Sequence, residues 1–164
     1  MPFKACTFVS SPLMDFSFGA DYENYKCIML KLQLAQYIND VYVSGVRTFY
    51  SICEQGVDLW AAEIVTYIMR DDPSTKLFCI VPYEDQAAKW DPAVRDLYYN
   101  VHQRSTDVTI MNTHYKKNCI YEAYLAAIER SDKVFASLVG KSSEEIKKYP
   151  CFECKDVYCF NGRY

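Results

Sequence analysis

Six short runs rich in β-branched, aromatic and other apolar residues punctuate this chain, at residues 5–9, 48–52, 76–81, 107–111, 134–138 and 156–160. Between them the apolar positions change to steps of three and four, so strand-like and helical patterning alternate. Such alternation restricts the fold to an α/β architecture with a mainly parallel sheet, because parallel neighbours need a helical crossover to reconnect. Cys27, Leu30, Leu34, Ile38 and Val41 fall on one helical face, with Gly45 placed to end that helix. Trp60, Ile64 and Ile68 form the stripe of a second helix, with Val57, Ala61 and Val65 beside them. Asp91-Pro92 places an N-cap residue before a proline at the first helical position, and Val94, Leu97, Tyr98 and Val101 form that helix's apolar face. Ile120, Tyr124, Leu125 and Ile128 are the expected buried face of a fourth helix. Ser142-Ser143-Glu144-Glu145 reads as a capping box opening a short fifth one, stopped by Pro150. With right-handed crossovers the expectation is a Rossmann-like three-layer α/β/α sandwich of about six strands, with any ligand at the carboxyl ends of the strands. The length of 164 residues suits one domain spanning 1–164, at roughly 100–200 residues per domain.

Glycine is scarce, and its placement excludes two function classes. The five glycines stand at 19, 45, 56, 140 and 162, more than ten positions apart. The G-x-G-x-x-G dinucleotide loop and the G-x-x-x-x-G-K-[ST] phosphate loop both need closely spaced glycines to bring backbone N–H groups against a phosphate, so neither is present. The net charge of −3 and the two isolated lysine pairs, at 116–117 and 147–148, give no basic face for nucleic acid. The N-terminal segment lacks the apolar run of a signal peptide, and no stretch approaches the roughly 18 apolar residues of a membrane span, so a cytoplasmic protein without membrane contact is expected.

Eight cysteines are too few for a disulfide scaffold, and Cys6 and Cys79 sit inside apolar runs as small hydrophobes. Cys151 and Cys154 form a C-x-x-C with Cys159 beyond it, and His102 or His114 would have to complete a metal site. One such pair is a poor signal; no metal, cofactor or catalytic residue is assigned. Cys119 and His114 lack any spacing that would position them as a nucleophilic pair.

The segment after the second strand reads Gly56-Val57-Asp58-Leu59-Trp60-Ala61-Ala62-Glu63-Ile64-Val65. After the third come Ile80-Val81-Pro82-Tyr83-Glu84-Asp85-Gln86-Ala87-Ala88-Lys89-Trp90. These two motifs, in this order and at strand ends, resemble the YpsA-like family of the SLOG superfamily. The resemblance extends more weakly to Asn118-Cys119 and Arg130-Ser131-Asp132. It implies a Rossmann-like fold with a pocket for a nucleotide or nucleotide-derived ligand; within the superfamily such domains serve as ligand sensors and as phosphoribohydrolases.

The residues fit such a pocket. A helix opening at Gly56 presents its positive end, and Asp58 in its first turn would either accept from ribose hydroxyls or stabilise the helix start. Glu63 is a polar candidate one to two turns on, whereas Trp60 has the spacing of a core residue. Pro82, Tyr83, Gln86 and Trp90 would overhang the pocket, with aromatic faces for a base and an amide that both donates and accepts. Tyr115, Asn118 and Cys119 would close the opposite wall.

The chain also departs from the family pattern. Val9-Ser10-Ser11-Pro12 stands where relatives carry a Gly-His-Arg-Pro-like turn, and Ser51-Ile52 replaces Ser-Gly. Ile120-Tyr121-Glu122-Ala123 replaces an Arg/Asn-rich helix start, and Gly140 through Glu145 replaces a glycine-rich loop. Every change removes positive charge or backbone access where a phosphate would bind. The reading is therefore a non-catalytic binder or sensor of a nucleotide-derived small molecule, using Ser10, Ser11, Ser51, Gly56, Asp58, Glu63, Pro82, Tyr83, Gln86, Trp90 and Asn118. The alternatives are a nucleotide N-glycoside hydrolase with Glu63 or Asp58 as acid/base, and an interaction protein that has lost its ligand. Homo-oligomerisation is left open.

Overall fold

The computed structural model describes residues 4–160. Gly162 and the first three residues of the N-terminal segment lie outside the described residues. Six strands, β1 (Ala5–Ser10), β2 (Thr48–Ser51), β3 (Lys76–Val81), β4 (Asp107–Ile110), β5 (Lys133–Ser137) and β6 (Asp156–Cys159), form one sheet in the order β4-β3-β2-β1-β5-β6. Every pairing is parallel, so the mainly parallel sheet expected from the alternation is parallel throughout. The expected strand limits hold to within a residue at each end.

Five helices make the crossovers: α1 (Tyr25–Val43), α2 (Val57–Asp71), α3 (Pro92–Arg104), α4 (Cys119–Glu129) and α5 (Ser143–Lys147). Central strand β1 is buried along its whole length because both its faces are covered. Cys6 and Phe8 join the larger core with α1, α2 and Phe135, whereas Val9 joins Val134, Ala136, Ile146 and Val157 on the other side. The period-2 alternation of side chains along β1 thus feeds two separate cores.

Helix α1 buries Cys27, Leu30, Leu34, Ile38 and Val41, the five residues its periodicity selects, and Gly45 follows at φ 112. At α5 the Ser142 hydroxyl accepts from the Glu145 N–H at 3.2 Å, so the cap forms; the helix closes at Lys147, and Pro150 opens a 3-10 turn instead.

The buried face of α4 differs from the expected one. Helix α4 buries Cys119, Ala123, Ala127 and Ile128, while Ile120, Tyr124 and Leu125 are only half-buried. Small residues at 123 and 127 let α4 lie close on Ile52 and Ile80. Ile120 and Tyr124 pack at the edge of this cluster, beside the carboxyl ends of the strands.

Those ends meet at a change of direction. The chain steps from β1 outward to β4, then returns across β1 to place β5 and β6 on the other side. The loops after β1 and β5 therefore leave toward opposite faces and open a crevice, the usual ligand position in such sheets.

Candidate functional site

The β1 loop is pinned at this crevice by serines. The Ser11 N–H donates to the Ser137 carbonyl at 3.0 Å, and its hydroxyl accepts from the Val139 N–H at 2.9 Å, tying the β1 turn to the β5 turn. The Ser10 hydroxyl donates to the Ser11 carbonyl at 2.9 Å.

The β2 loop is bent more sharply. Cys53 has φ 61 and Gly56 has φ 101, and Gly56 forms the N-cap of α2 without a side-chain bond. Ser51 braces this turn: its hydroxyl donates to the Asp58 carbonyl at 2.8 Å and accepts from the Cys53 N–H at 3.1 Å. Ser51 is fully buried, so its part here is to hold the loop.

An open cleft of about 170 Å³ lies between these loops and α4. Ser10, Ser11 and Pro12 form one wall, Glu54, Gln55 and Asp58 another, and Leu13, Met14, Ile120 and Tyr124 close it. None of these residues is a cation.

Asp58 is only 1% exposed. Its Oδ2 accepts a short hydrogen bond from the Tyr124 hydroxyl, which also lies 3.2 Å from the Ser10 carbonyl, while Oδ1 is buried without a partner. Burial pushes the Asp58 carboxyl well above the usual range; the Tyr124 bond works against this, and the neighbouring Glu54 adds to it. Glu54 is also raised by burial and held down by the Gln86 amide, which donates to its Oε1 at 2.7 Å. Two carboxyls that retain protons readily, one phenol and two serines make a site that exchanges hydrogen bonds with hydroxyls. The same group set offers a phosphate no cation.

The raised Asp58 carboxyl has a pH signature. Below about pH 4 both folded and unfolded chains hold its proton; above that the unfolded chain ionises first, so native stability from this group is lost as pH rises through the folded value. Asp58→Asn keeps an acceptor for Tyr124 and removes the titration. In thermal denaturation the variant is expected to gain on the wild type between about pH 5 and about pH 8. A constant difference across that range would contradict the assignment.

Of the residues selected from sequence, Ser10, Ser11 and Asp58 line the cleft, and Ser51 and Gly56 shape its floor. Gln86 supports it from behind, with its amide donating to the Ile52 carbonyl at 3.0 Å and its Oε1 accepting from the Tyr98 hydroxyl at 3.0 Å. Glu63 is half-buried on α2 and is not among the lining residues. Trp90 packs edge-on against Tyr98, Tyr83 packs edge-on against Tyr115, and the Pro82 carbonyl accepts from Asn112. Asn118 is exposed at φ 67 as the N-cap of α4. These residues are not brought to the cleft. Cys119 is buried and His114 exposed, and Cys151 and Cys154 lie near the surface before β6.

Sequence reasoning passed over Glu54 and Tyr124. Glu54 stood in view just beyond the end of β2, a position from which side chains reach a strand-end crevice. Tyr124 was hidden by its helical spacing, which reads as core.

Fold and crevice define a Rossmann-like α/β protein with a cation-free cleft at the carboxyl ends of the strands. A family model, YpsA (YspA SLOG family), matches residues 16–153, and the chain belongs to that family. Over 72 residues the chain is 31% identical to a UPF0398 protein of Halalkalibacterium halodurans, covering 44% of this chain and 38% of that protein. A UPF0398 protein of Brevibacillus brevis is 32% identical over 76 residues, covering 44% of this chain and 36% of its own length. One from Leuconostoc citreum is 25% identical over 67 residues, 41% of this chain and 35% of that protein. The matched segment spans well under half of each curated relative. Among the described residues no helix is long and apolar enough to cross a membrane.

Proposed function

We propose that the chain is a non-catalytic binder of a nucleotide-derived small molecule, held through hydroxyl groups such as those of a ribose. The observation that carries this reading is Asp58, a buried carboxyl lining the cleft with one oxygen already fixed by Tyr124 and the other without a partner. An unpartnered buried carboxyl oxygen costs about 1–3 kcal/mol, and a ligand hydroxyl bonded to it would remove that cost. The cation-free lining favours the sugar over the phosphate, so nucleosides and weakly charged derivatives are preferred to triphosphates.

A thermal-shift series with nucleosides, nucleotides and ADP-ribose-like compounds at millimolar concentration tests this. Stabilisation by ribose compounds, lost with the 2′-deoxy or 3′-deoxy analogue and in Asp58→Asn, is expected. No stabilisation by any compound, or equal stabilisation of Asp58→Asn, would refute it.

A second reading rests on the same carboxyls, since two acids with raised affinity for protons in one cleft are the material of acid–base cleavage at an N-glycosidic bond. Incubation with nucleoside monophosphates separates the two. Binding without release of free base is expected; release that vanishes in Asp58→Asn would make the chain a hydrolase.

A further inference from the structure

We propose that Cys53, Cys79 and His102 form a binding site for one zinc ion inside the larger core. The three come from separate elements: the turn after β2, the middle of β3 and the last turn of α3. Their two sulfurs and an imidazole nitrogen all lie within 4.8 Å of one another. Zinc bonds of about 2.3 Å to sulfur and about 2.0–2.1 Å to nitrogen set ligand atoms on the order of 3.5–3.8 Å apart in a tetrahedron, so small side-chain rotations would close the set. Among the described residues no other group of three such side chains is gathered in this way.

Two further observations point to an ion rather than to ordinary packing. The His102 Nε2 is buried and has no hydrogen-bond partner, an arrangement that costs free energy unless something occupies it. Cys53 is held with φ 61, a conformation rarely adopted by residues with a side chain, and this turn presents its thiol to Cys79.

Charge selects the metal. The neutral imidazole of a histidine is the form that ligates zinc. On binding, the two thiols would each release one proton, and two thiolates would balance one divalent cation. The resulting neutral assembly suits a site where Cys53 and Cys79 are at most 1% exposed, whereas copper(I) would leave a net negative charge. Three protein ligands leave one coordination position for a water. The site is separate from the cleft, whose lining contains neither cysteine nor histidine.

The test is reductive refolding of the full chain with zinc or cobalt(II), followed by dialysis against a weak chelator. Stoichiometric zinc by elemental mass spectrometry and a thiolate-to-cobalt charge-transfer band are expected. Both should fall at least tenfold in Cys79→Ser and His102→Gln and persist in the Cys151→Ser/Cys154→Ser double variant, which removes the surface C-x-x-C. A wild type that refolds without retaining zinc overturns the proposal, as does retention in Cys79→Ser and His102→Gln, loss in the double variant, or stoichiometric copper in place of zinc. Should either single variant fail to refold, X-ray absorption at the zinc edge of the wild type decides. Two sulfur scatterers and one imidazole are expected, and a shell of oxygen and nitrogen alone would overturn the site.

Discussion

Gln86→Leu is expected to lower the unfolding free energy by about 3 kcal/mol and to abolish ligand-induced stabilisation, the largest effect of any single polar change near the cleft. The side chain is 3% exposed and serves three partners: the Ile52 carbonyl, the Glu54 carboxyl and the Tyr98 hydroxyl. Leucine fills the volume but leaves all three unsatisfied, at about 1–3 kcal/mol for each buried orphan, partly offset by its own apolar burial. Glu54 suffers most. With the Gln86 donor removed, burial would push its carboxyl further up and favour the protonated form. Urea denaturation measures the loss, and Tyr98→Phe, which removes one of the three bonds, provides a smaller step of about 1 kcal/mol for comparison. Equal effects from the two substitutions would mean that Gln86 acts through Tyr98 alone.

Gly56→Ala is expected to cost about 2–3 kcal/mol, mostly from backbone conformation. Gly56 sits at φ 101 and ψ −135, where a residue bearing Cβ is strained. The new methyl group would also stand 3.3 Å from Leu13 Cδ1 and 3.5 Å from Leu13 Cβ. Leu13 is buried and lines the cleft, so displacing it would alter the cleft floor as well as stability. A double-mutant cycle with Leu13→Ala separates the two causes, because trimming Leu13 relieves the contact and leaves the dihedral strain. A coupling below about 1 kcal/mol is expected. Full recovery in the double variant would show that crowding, not backbone strain, sets the cost.

These two positions also show where sequence reasoning reached and where it stopped. The six strands and the face of α1 were readable because each depends on local periodicity, which short-range sterics and burial enforce. Gly56 was readable because a lone glycine before an apolar helical pattern marks a turn. Gln86 was correctly placed near the site, yet its part is to hold Glu54 and Ile52 from behind, a role that depends on contacts across 32 and 34 residues. Trp90, expected over the ligand, is drawn instead onto Tyr98, because an indole gains more by edge-on packing in the core than by waiting at a loop. Tyr124 was missed for a converse reason. Alanines at 123 and 127 take buried positions of α4, and Tyr124 packs on the same cluster while its hydroxyl reaches Asp58 in the cleft. Rotation of a helix about its axis is fixed by the size of its neighbours, which a pattern of apolar positions does not encode.

The pairing of β1 with β5 sets a schedule for synthesis. Ser10 is opposite Ser137, and Ser11 is latched to Ser137 and Val139, so walls made early in translation are joined only by residues made more than a hundred positions later. A ribosome that has delivered β1 through β4 has supplied the carboxyls of the cleft before Tyr124 of α4 and the strand that follows it are made. Such long-range closure is slow relative to local helix formation and leaves one side of β1 bare meanwhile. Until Ser137 and Val139 are made, the β1 turn lacks the latch that fixes its wall of the cleft. Termination before Ser137 is expected to remove the proposed binding altogether instead of weakening it.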